Sequence, residues 1–436
     1  MTFNKVLNKV LKNISVSRDE EVELKKIAAG VVKKIPGARV GGSLAKATLI
    51  KKDVQDIDIF VVFKSEAETK KLGELLRKKG FSGRVLHGSR DYFQIKKGKV
   101  LLEIIPVVKV RKKENVENVT DFSLSHVSYV REKLRSQISN NKPAHPTQSR
   151  KFVNSKSFAT SKSLASEIKL AKVFCYAGDC YGAESYISGF SGYALELLVI
   201  YFGGFVKFLK GIQKKTHPPT QIVFIDIEKD FKSEREALQE INSSKLQAPV
   251  LLVDPTYKYR NVCAGLSKET FEKFIKTAKQ FLKNPSEKFF EKKAFDAGKF
   301  KSGVTRPPTR ERFIAINLKT NRQEGDIAGT KMKKFFNFLI KSLRRKGQEV
   351  VASHFVYSGE GQSAEGYLGV KEKNVIEVEG PPVLDKKSAG GFRKSRGKIF
   401  KKKGHWWAEE KVTIKKIFQK AILNAGEMGI SNFDWS

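Results

Sequence analysis

Apolar residues recur at helical spacing near the start of the chain, at Val6, Leu7, Val10, Leu11 and Ile14, and this period predicts a helix over residues 4–15. Ser17 and Glu20 form a capping box that opens a second helix carrying Ile27, Val31 and Ile35. Strand-like runs follow at 57–63, 92–95 and 100–108, the last two joined by a short Lys-Lys-Gly-Lys turn, with a helix through Leu72, Leu75 and Leu76 before them. These elements make a first mixed α/β unit over 1–132.

Residues 133–166 change character: seven Lys or Arg, many Ser and Asn, and no acid in 34 positions. That composition reads as a basic linker, or a helix extended by a basic loop. The rest of 133–289 is mainly helical, with apolar stripes through Leu195, Leu198, Ile200 and Phe205, and two strand candidates at 221–227 and 249–253. A third unit, 290–436, has strand 312–318, a helix with Phe335, Phe336 and Leu339, and strands 349–357 and 374–378. The order βαββ, with a basic helix after it, resembles a ferredoxin-like or RNA-recognition sandwich. The fold class expected is therefore α+β and multidomain.

Charge narrows the partners. The 436 residues carry 84 Lys and Arg against 46 Asp and Glu, a net +38, so the surface repels itself unless a polyanion lies against it. No apolar run is long enough to span a bilayer, and the N-terminus lacks the continuous apolar stretch of a signal peptide. Basic clusters at Lys109–Lys113, Lys341–Lys346 and Arg393–Lys403 are spread through the chain, unlike a membrane anchor. Around the last cluster, Arg393, Lys394 and Arg396 lie near Phe392, Phe400, Trp406 and Trp407. Cations for phosphates beside aromatics for bases favour RNA as partner, with no membrane role expected. Three cysteines match neither a disulfide framework nor a zinc pattern, and a reduced, cytoplasmic setting is expected.

The candidate chemistry lies in the first unit. In Asp56-Ile57-Asp58-Ile59 both carboxylates project from one face of a strand while the isoleucines face the core. Two adjacent carboxylates repel unless a cation holds them, and oxygen ligands suit Mg²⁺. Glu103 is the lone polar residue in Val100–Pro106 and needs a partner for the same reason. Gly41-Gly42-Ser43, with Lys46, precedes the acids as a turn able to offer N–H groups and a hydroxyl to a triphosphate. Taken singly, each feature is as compatible with a solvated edge or an ordinary turn. In this order they point to two-metal nucleotidyl transfer.

At this point the chain resembles the archaeal, class I CCA-adding tRNA nucleotidyltransferases of the polymerase β superfamily. The resemblance rests on the Gly-Ser and D-x-D signatures, Tyr181-Gly-Ala-Glu184, Gly189-Phe-Ser-Gly-Tyr193, Val253-Asp-Pro-Thr-Tyr-Lys-Tyr-Arg-Asn-Val262 and Gly380-Pro-Pro-Val383. It implies a nucleotidyltransferase head over 1–132, a substrate-binding middle domain over 133–289, and a tRNA-binding unit over 290–436. It further implies that Asp56, Asp58 and Glu103 hold Mg²⁺. Ser43, Lys46, His126, Lys172 and Tyr181 would bind the triphosphate region, and Arg260 would read the base of CTP or ATP. The acceptor and TΨC arms of tRNA would meet Arg393, Lys394, Arg396, Trp406 and Trp407. A homodimer is compatible with the sequence. Lys46 stands where the family has Arg, Glu103 where it has Asp, and the acid-free stretch is longer than the family pattern. The competing readings are a poly(A) polymerase-like terminal transferase and a non-catalytic RNA-binding protein.

Overall fold

A computed structural model of the chain describes residues 3–86, 90–110, 116, 118–140, 163–216, 222–306, 311–321 and 323–436. Most of the basic stretch 133–166 and part of the Lys109–Lys113 cluster lie outside the described residues. The chain divides into two compact units, Met1–Lys293 and Ala294–Ser436.

The first unit begins with α1 (Phe3–Ile14) and α2 (Arg18–Lys34), and the Ser17 hydroxyl caps α2 by accepting from the Glu20 amide. There follow β1 (Ala38–Val40), the short α3 (Gly42–Ala45), β2 (Gln55–Phe63), α4 (Glu66–Thr69), α5 (Leu72–Lys78), β3 (Arg84–Leu86), β4 (Tyr92–Lys97) and β5 (Val100–Val108). The sheet order is β1-β2-β5-β4-β3, with β2 and β5 parallel and the other pairs antiparallel. The Gly-Ser turn therefore follows a short strand, β1, that the sequence pattern does not reveal, and Ser43 sits in a helical turn. Ile57, Ile59, Leu102 and Ile104 are fully buried with Leu24, Ala28 and Val31 of α2 and Leu72 and Leu76 of α5. Each such side chain contributes about 1.5–3 kcal/mol, which fixes the strand register and sends the alternate residues to the opposite face.

The unit continues with α6 (Ser123–Asn140), α7 (Leu164–Ala177), α8 (Gly192–Phe202), α9 (Phe205–Lys215), β6 (Val223–Ile225), α10 (Glu234–Glu240), β7 (Val250–Asp254), β8 (Tyr257–Asn261) and α11 (Lys268–Lys283). Residues 133–140 thus belong to a helix. The helical core gathers Leu195, Leu198, Phe174, Phe205, Phe274 and Phe281, and it also takes Val6, Leu7 and Val10 of α1. The first helix, expected with the head, packs instead in the middle of the unit. Phe290 joins the same core, so the boundary to the second unit falls just after the expected residue 290.

The second unit holds α12 (Ala297–Thr305), β9 (Arg312–Thr320), α13 (Gly325–Arg345), β10 (Glu349–Val356), β11 (Ser363–Lys371), β12 (Val375–Pro382), α14 (Lys386–Arg396), β13 (Ile399–Lys402), β14 (His405–Lys411), α15 (Ile414–Ile422) and β15 (Ile430–Trp435). One antiparallel sheet runs β10-β11-β9-β15, and Phe335, Phe336 and Leu339 of α13 and Ile417 and Phe418 of α15 share its core. The strand expected at 374–378 does not join this sheet. It is β12, an edge of a separate sheet β12-β14-β13 inserted between β11 and α15. Among the described residues, no helix is long and apolar enough to cross a membrane.

Candidate active site

The period-two pattern of β2 buries Gln55, Ile57 and Ile59 and leaves Asp56 and Asp58 together on the other face. Parallel pairing with β5 sets Asp58 directly beside Glu103. Burial drives the Glu103 carboxyl up to about 7, with the neighbouring charge of Asp58 adding to the effect. Asp58 is raised as well, first by burial, although Lys46 pulls it down and Asp56 pushes it further up. These acids therefore meet the conditions expected of a cation-binding face.

Gly42 makes room for that face. A Cβ there would lie 1.6 Å from Asp58 Oδ2, and its φ of +55° disfavours any other residue, so glycine alone lets α3 approach the carboxylate. The end of β5 is pinned from the far side. Arg90, nearly fully buried, donates to the Pro106 carbonyl at 3.1 Å and pairs with Asp121 at 2.5 Å, and Asp121 accepts from the Val108 amide at 2.7 Å.

All-oxygen donors on a buried, self-repelling face fit a hard divalent cation such as Mg²⁺. Among the described residues, no three His, Cys, Asp or Glu side chains form a ready metal cluster. Lys52 Nζ instead lies 2.5 Å from Asp56 Oδ2, and Gln94 Nε2 donates to Glu103 Oε1 at 3.2 Å.

Of the residues expected at the triphosphate, Lys46 and Lys172 are both already engaged, and with a residue the sequence pattern hides. Glu196 of α8, fully buried, receives Lys46 Nζ at 2.6 Å and Lys172 Nζ at 2.8 Å, together with the Thr48 hydroxyl at 2.9 Å. Burial pushes the Glu196 carboxyl up, but the two lysines outweigh it and hold its pKa at about 2. Tyr181 stands near Lys172: a Cβ on Gly192 would lie 3.0 Å from the Tyr181 hydroxyl and 3.9 Å from Lys172 Cε. Burial raises the Tyr181 phenol, and the charges of Glu196 and Asp58 raise it further, which puts it within electrostatic range of the acids.

A second buried acid, Asp254 at the end of β7, gathers the remaining pair. Its Oδ2 takes Arg260 Nη1 at 2.8 Å and lies 3.1 Å from His126 Nε2. Its Oδ1 accepts from Tyr193 at 3.1 Å and from the Thr256 amide at 2.9 Å and hydroxyl at 2.8 Å. Burial opposes ionisation of Asp254, but these bonds outweigh it and keep the carboxyl far below its usual range. Burial lowers the His126 pKa, and the ring stacks on Tyr193 with centroids 4.1 Å apart. Arg260 Nη1 is also 3.1 Å from His126 Nε2. Arg260 lies on β8.

The quoted motifs also divide into structure and site. The Gly182 amide donates to the Phe190 carbonyl and the Phe190 amide to the Cys180 carbonyl, and a Cβ on Gly189 would strike the Cys180 carbonyl at 2.4 Å. Asn261 spends its amide on Leu252, Cys263, Val250 and Lys245, bracing β7 against β8. Those residues hold the site's frame.

In the second unit Arg393 and Lys394 are exposed at the end of α14, whereas Arg396 pairs with Glu410. Trp406 and Trp407 lie on β14. Both are half-buried, with Lys401 5.2 Å from the Trp406 ring and Lys402 5.3 Å from the Trp407 ring, and Trp407 Nε1 donates to the Lys402 carbonyl. Phe392 and Phe400 are likewise half-buried.

Residues 166–291 match the family model of the tRNA nucleotidyltransferase second domain. A CCA-adding enzyme of Nanoarchaeum equitans is 32% identical over 357 residues, covering 80% of this chain and 78% of that protein. One from Methanocaldococcus jannaschii is 29% identical over 430 residues, covering 92% and 86%. The solved structure of a cytoplasmic RNA terminal U-transferase is similar over 67% of this chain and 99% of its own, at 14% identity and a TM-score of 0.45.

Proposed function

Since the chain belongs to the archaeal, class I family of CCA-adding enzymes, we propose that the β2/β5 carboxylate face is where it performs the family's nucleotidyl transfer. The reaction adds C, C and A to the 3′ end of tRNA from CTP and ATP without a nucleic acid template. The observation that carries the assignment of the site is the pairing of Asp58 with Glu103 in register, beside Asp56, on a face opened by Gly42.

Asp56, Asp58 and Glu103 would hold Mg²⁺, which when bound supplies Lewis acidity toward the attacking hydroxyl and the leaving pyrophosphate. The chain's own residues do the rest. Ser43 and the amides of its turn meet the phosphates, while Lys46, Lys172 and Tyr181 supply positive charge and a hydroxyl donor. The primer 3′-hydroxyl attacks the α-phosphorus, the new P–O bond forms, and the α–β bridge breaks to release pyrophosphate. Arg260, held by Asp254 and flanked by neutral His126, presents paired donors that suit N3 and O2 of cytosine or N1 of adenine.

The head-and-middle reading of the first unit, as polymerase-β-type 1–132 followed by a substrate-binding 133–289, is supported by the separate sheet and helical cores, with α1 as the exception that packs in the helical one. In the second unit, a βαββ…αβ order around one antiparallel sheet supports a ferredoxin-like tRNA-binding fold. Arg393 and Lys394 are its best-placed contacts for the acceptor and TΨC arms. Such an enzyme works in the cytoplasm.

Three primers test this reading: tRNA ending at the discriminator base, after the first C, and after the second C, each given one labelled nucleotide at a time with Mg²⁺. C, C and A in turn is the expected result. Repeated A addition to every primer would assign a poly(A) polymerase activity, and no addition would leave only RNA binding.

A further inference from the structure

The Glu196 cluster is more than a buried ion pair. A structural salt bridge needs one cation for one anion, and removing both charges from such a pair often leaves stability unchanged or improved. Here one fully buried carboxylate carries two ammonium groups, which repel each other and leave a surplus positive charge. The two cations come from separate parts of the unit. Lys46 caps the C-terminus of α3, three residues after Ser43, and Lys172 lies mid-way along α7. Thr48 completes the bridge: its hydroxyl donates to Glu196 Oε1 and accepts from Lys172 Nζ at 3.0 Å. Both lysines act electrostatically on Asp58, and the Tyr181 hydroxyl lies on the same side. The surplus charge is therefore set beside the carboxylate face, where Asp58 interacts with both lysines and a bound triphosphate would meet them.

We propose that Glu196 is a positioning residue for the nucleotide: it holds Lys46 and Lys172 as a preset pair of cations, so that the triphosphate meets both at once. The inference rests on the nucleotidyl-transfer reading of the site. Glu196 does not touch the nucleotide; it acts through the two lysines. Pre-setting removes the cost of ordering two long side chains when the triphosphate binds. The surplus charge then passes to the triphosphate, whose oxygens share the ammonium donors with Glu196.

The test compares wild type, Glu196→Gln, Glu196→Asp and Thr48→Val. Equilibrium CTP binding is measured without tRNA, together with kcat, KM for CTP, ATP and tRNA, and melting temperature. Losing the shared anion should weaken CTP binding and raise KM for CTP and ATP about tenfold or more in Glu196→Gln, with KM for tRNA and kcat within about twofold of wild type. Glu196→Asp, which keeps the charge, should recover part of that loss. Thr48→Val removes one shared hydroxyl from an intact ion cluster, so it remains informative if Glu196→Gln does not fold, and should weaken CTP binding about threefold to fivefold. A folded Glu196→Gln, or Thr48→Val, that binds CTP as wild type does overturns the proposal. So does a parallel rise in KM for tRNA and CTP, which assigns a purely architectural role. If instead wild type adds no nucleotide to truncated tRNA, the transfer reading itself fails, independently of the variants.

Discussion

Replacing Glu103 with Gln removes a charge that the metal-free protein bears at a cost. The native carboxyl is held at about 7 against an ordinary 4.5, mainly by burial and then by Asp58. Between those two values the native state keeps a proton that the unfolded chain has released, so stability must fall as pH rises through this window. The contribution is fully present below about pH 4.5 and lost above about 7. A gap of about 2.5 pH units corresponds to roughly 3 kcal/mol. Glu103→Gln keeps the side-chain oxygen that accepts from Gln94 and lacks the charge. The variant should match wild type near pH 5 and exceed it at pH 8 by roughly 3 kcal/mol, or about 5 °C in melting temperature. Mg²⁺ should stabilise wild type at pH 8 far more than at pH 5, and stabilise Glu103→Gln little at either. Thermal unfolding at both pH values, with and without Mg²⁺, reads all of this. Equal melting temperatures for the two proteins at pH 8, or Mg²⁺ stabilisation that ignores pH, would refute the reasoning.

Three further outcomes follow from the structure. Arg260→Ala should blur the choice of C and A over G and U while CTP still binds through Ser43, Lys172 and Tyr181; misincorporation assays on truncated tRNA read this, and retained selectivity places base reading elsewhere. Arg90→Ala leaves Asp121 buried without its cation and should cost about 3–5 kcal/mol, seen as an early loss of the first unit's structure in urea. Charge reversal at Arg393, Lys394 and Arg396 should raise KM for tRNA without changing KM for CTP and flatten the salt dependence of binding. Part of any effect at Arg396 reflects its pair with Glu410, so Arg393→Glu/Lys394→Glu alone is the sharper variant.

Much of the site is legible in the sequence because strands have a period of two. The alternation in Gln55–Phe63 places Asp56 and Asp58 on one face, and a lone acid in Val100–Pro106 marks Glu103 as needing a partner. The same signal, an acid in an apolar run, is present at Glu196 in Tyr193–Ile200 and at Asp254 after Val250–Val253. In those runs the apolar neighbours suffice to explain a buried helix and strand, which masks the acid's role as an anchor. The partners of these acids are distant in sequence: Lys46 and Glu196 are 150 residues apart, and His126 and Asp254 are 128 apart. Local pattern carries no information about such pairs. The second unit shows the same limit. Three of its strands, β9, β10 and β12, are readable and β11, β13, β14 and β15 are not; β15 pairs with β9 across the whole unit and β12 leaves for another sheet, and both facts depend on long-range register. The sequence shows the basic neighbours of Trp406 and Trp407 without showing that Lys401 and Lys402 stand beside the rings.

The central claim is that the β2/β5 acids perform transfer and do not serve RNA affinity. Asp58→Ala tests it most directly, with tRNA affinity and nucleotide addition to truncated tRNA measured on the same preparation. The account predicts that addition of C and A is abolished while tRNA binding stays within about twofold of wild type, since binding rests on phosphate contacts elsewhere. Substantial residual addition, or loss of binding in step with activity, would contradict it.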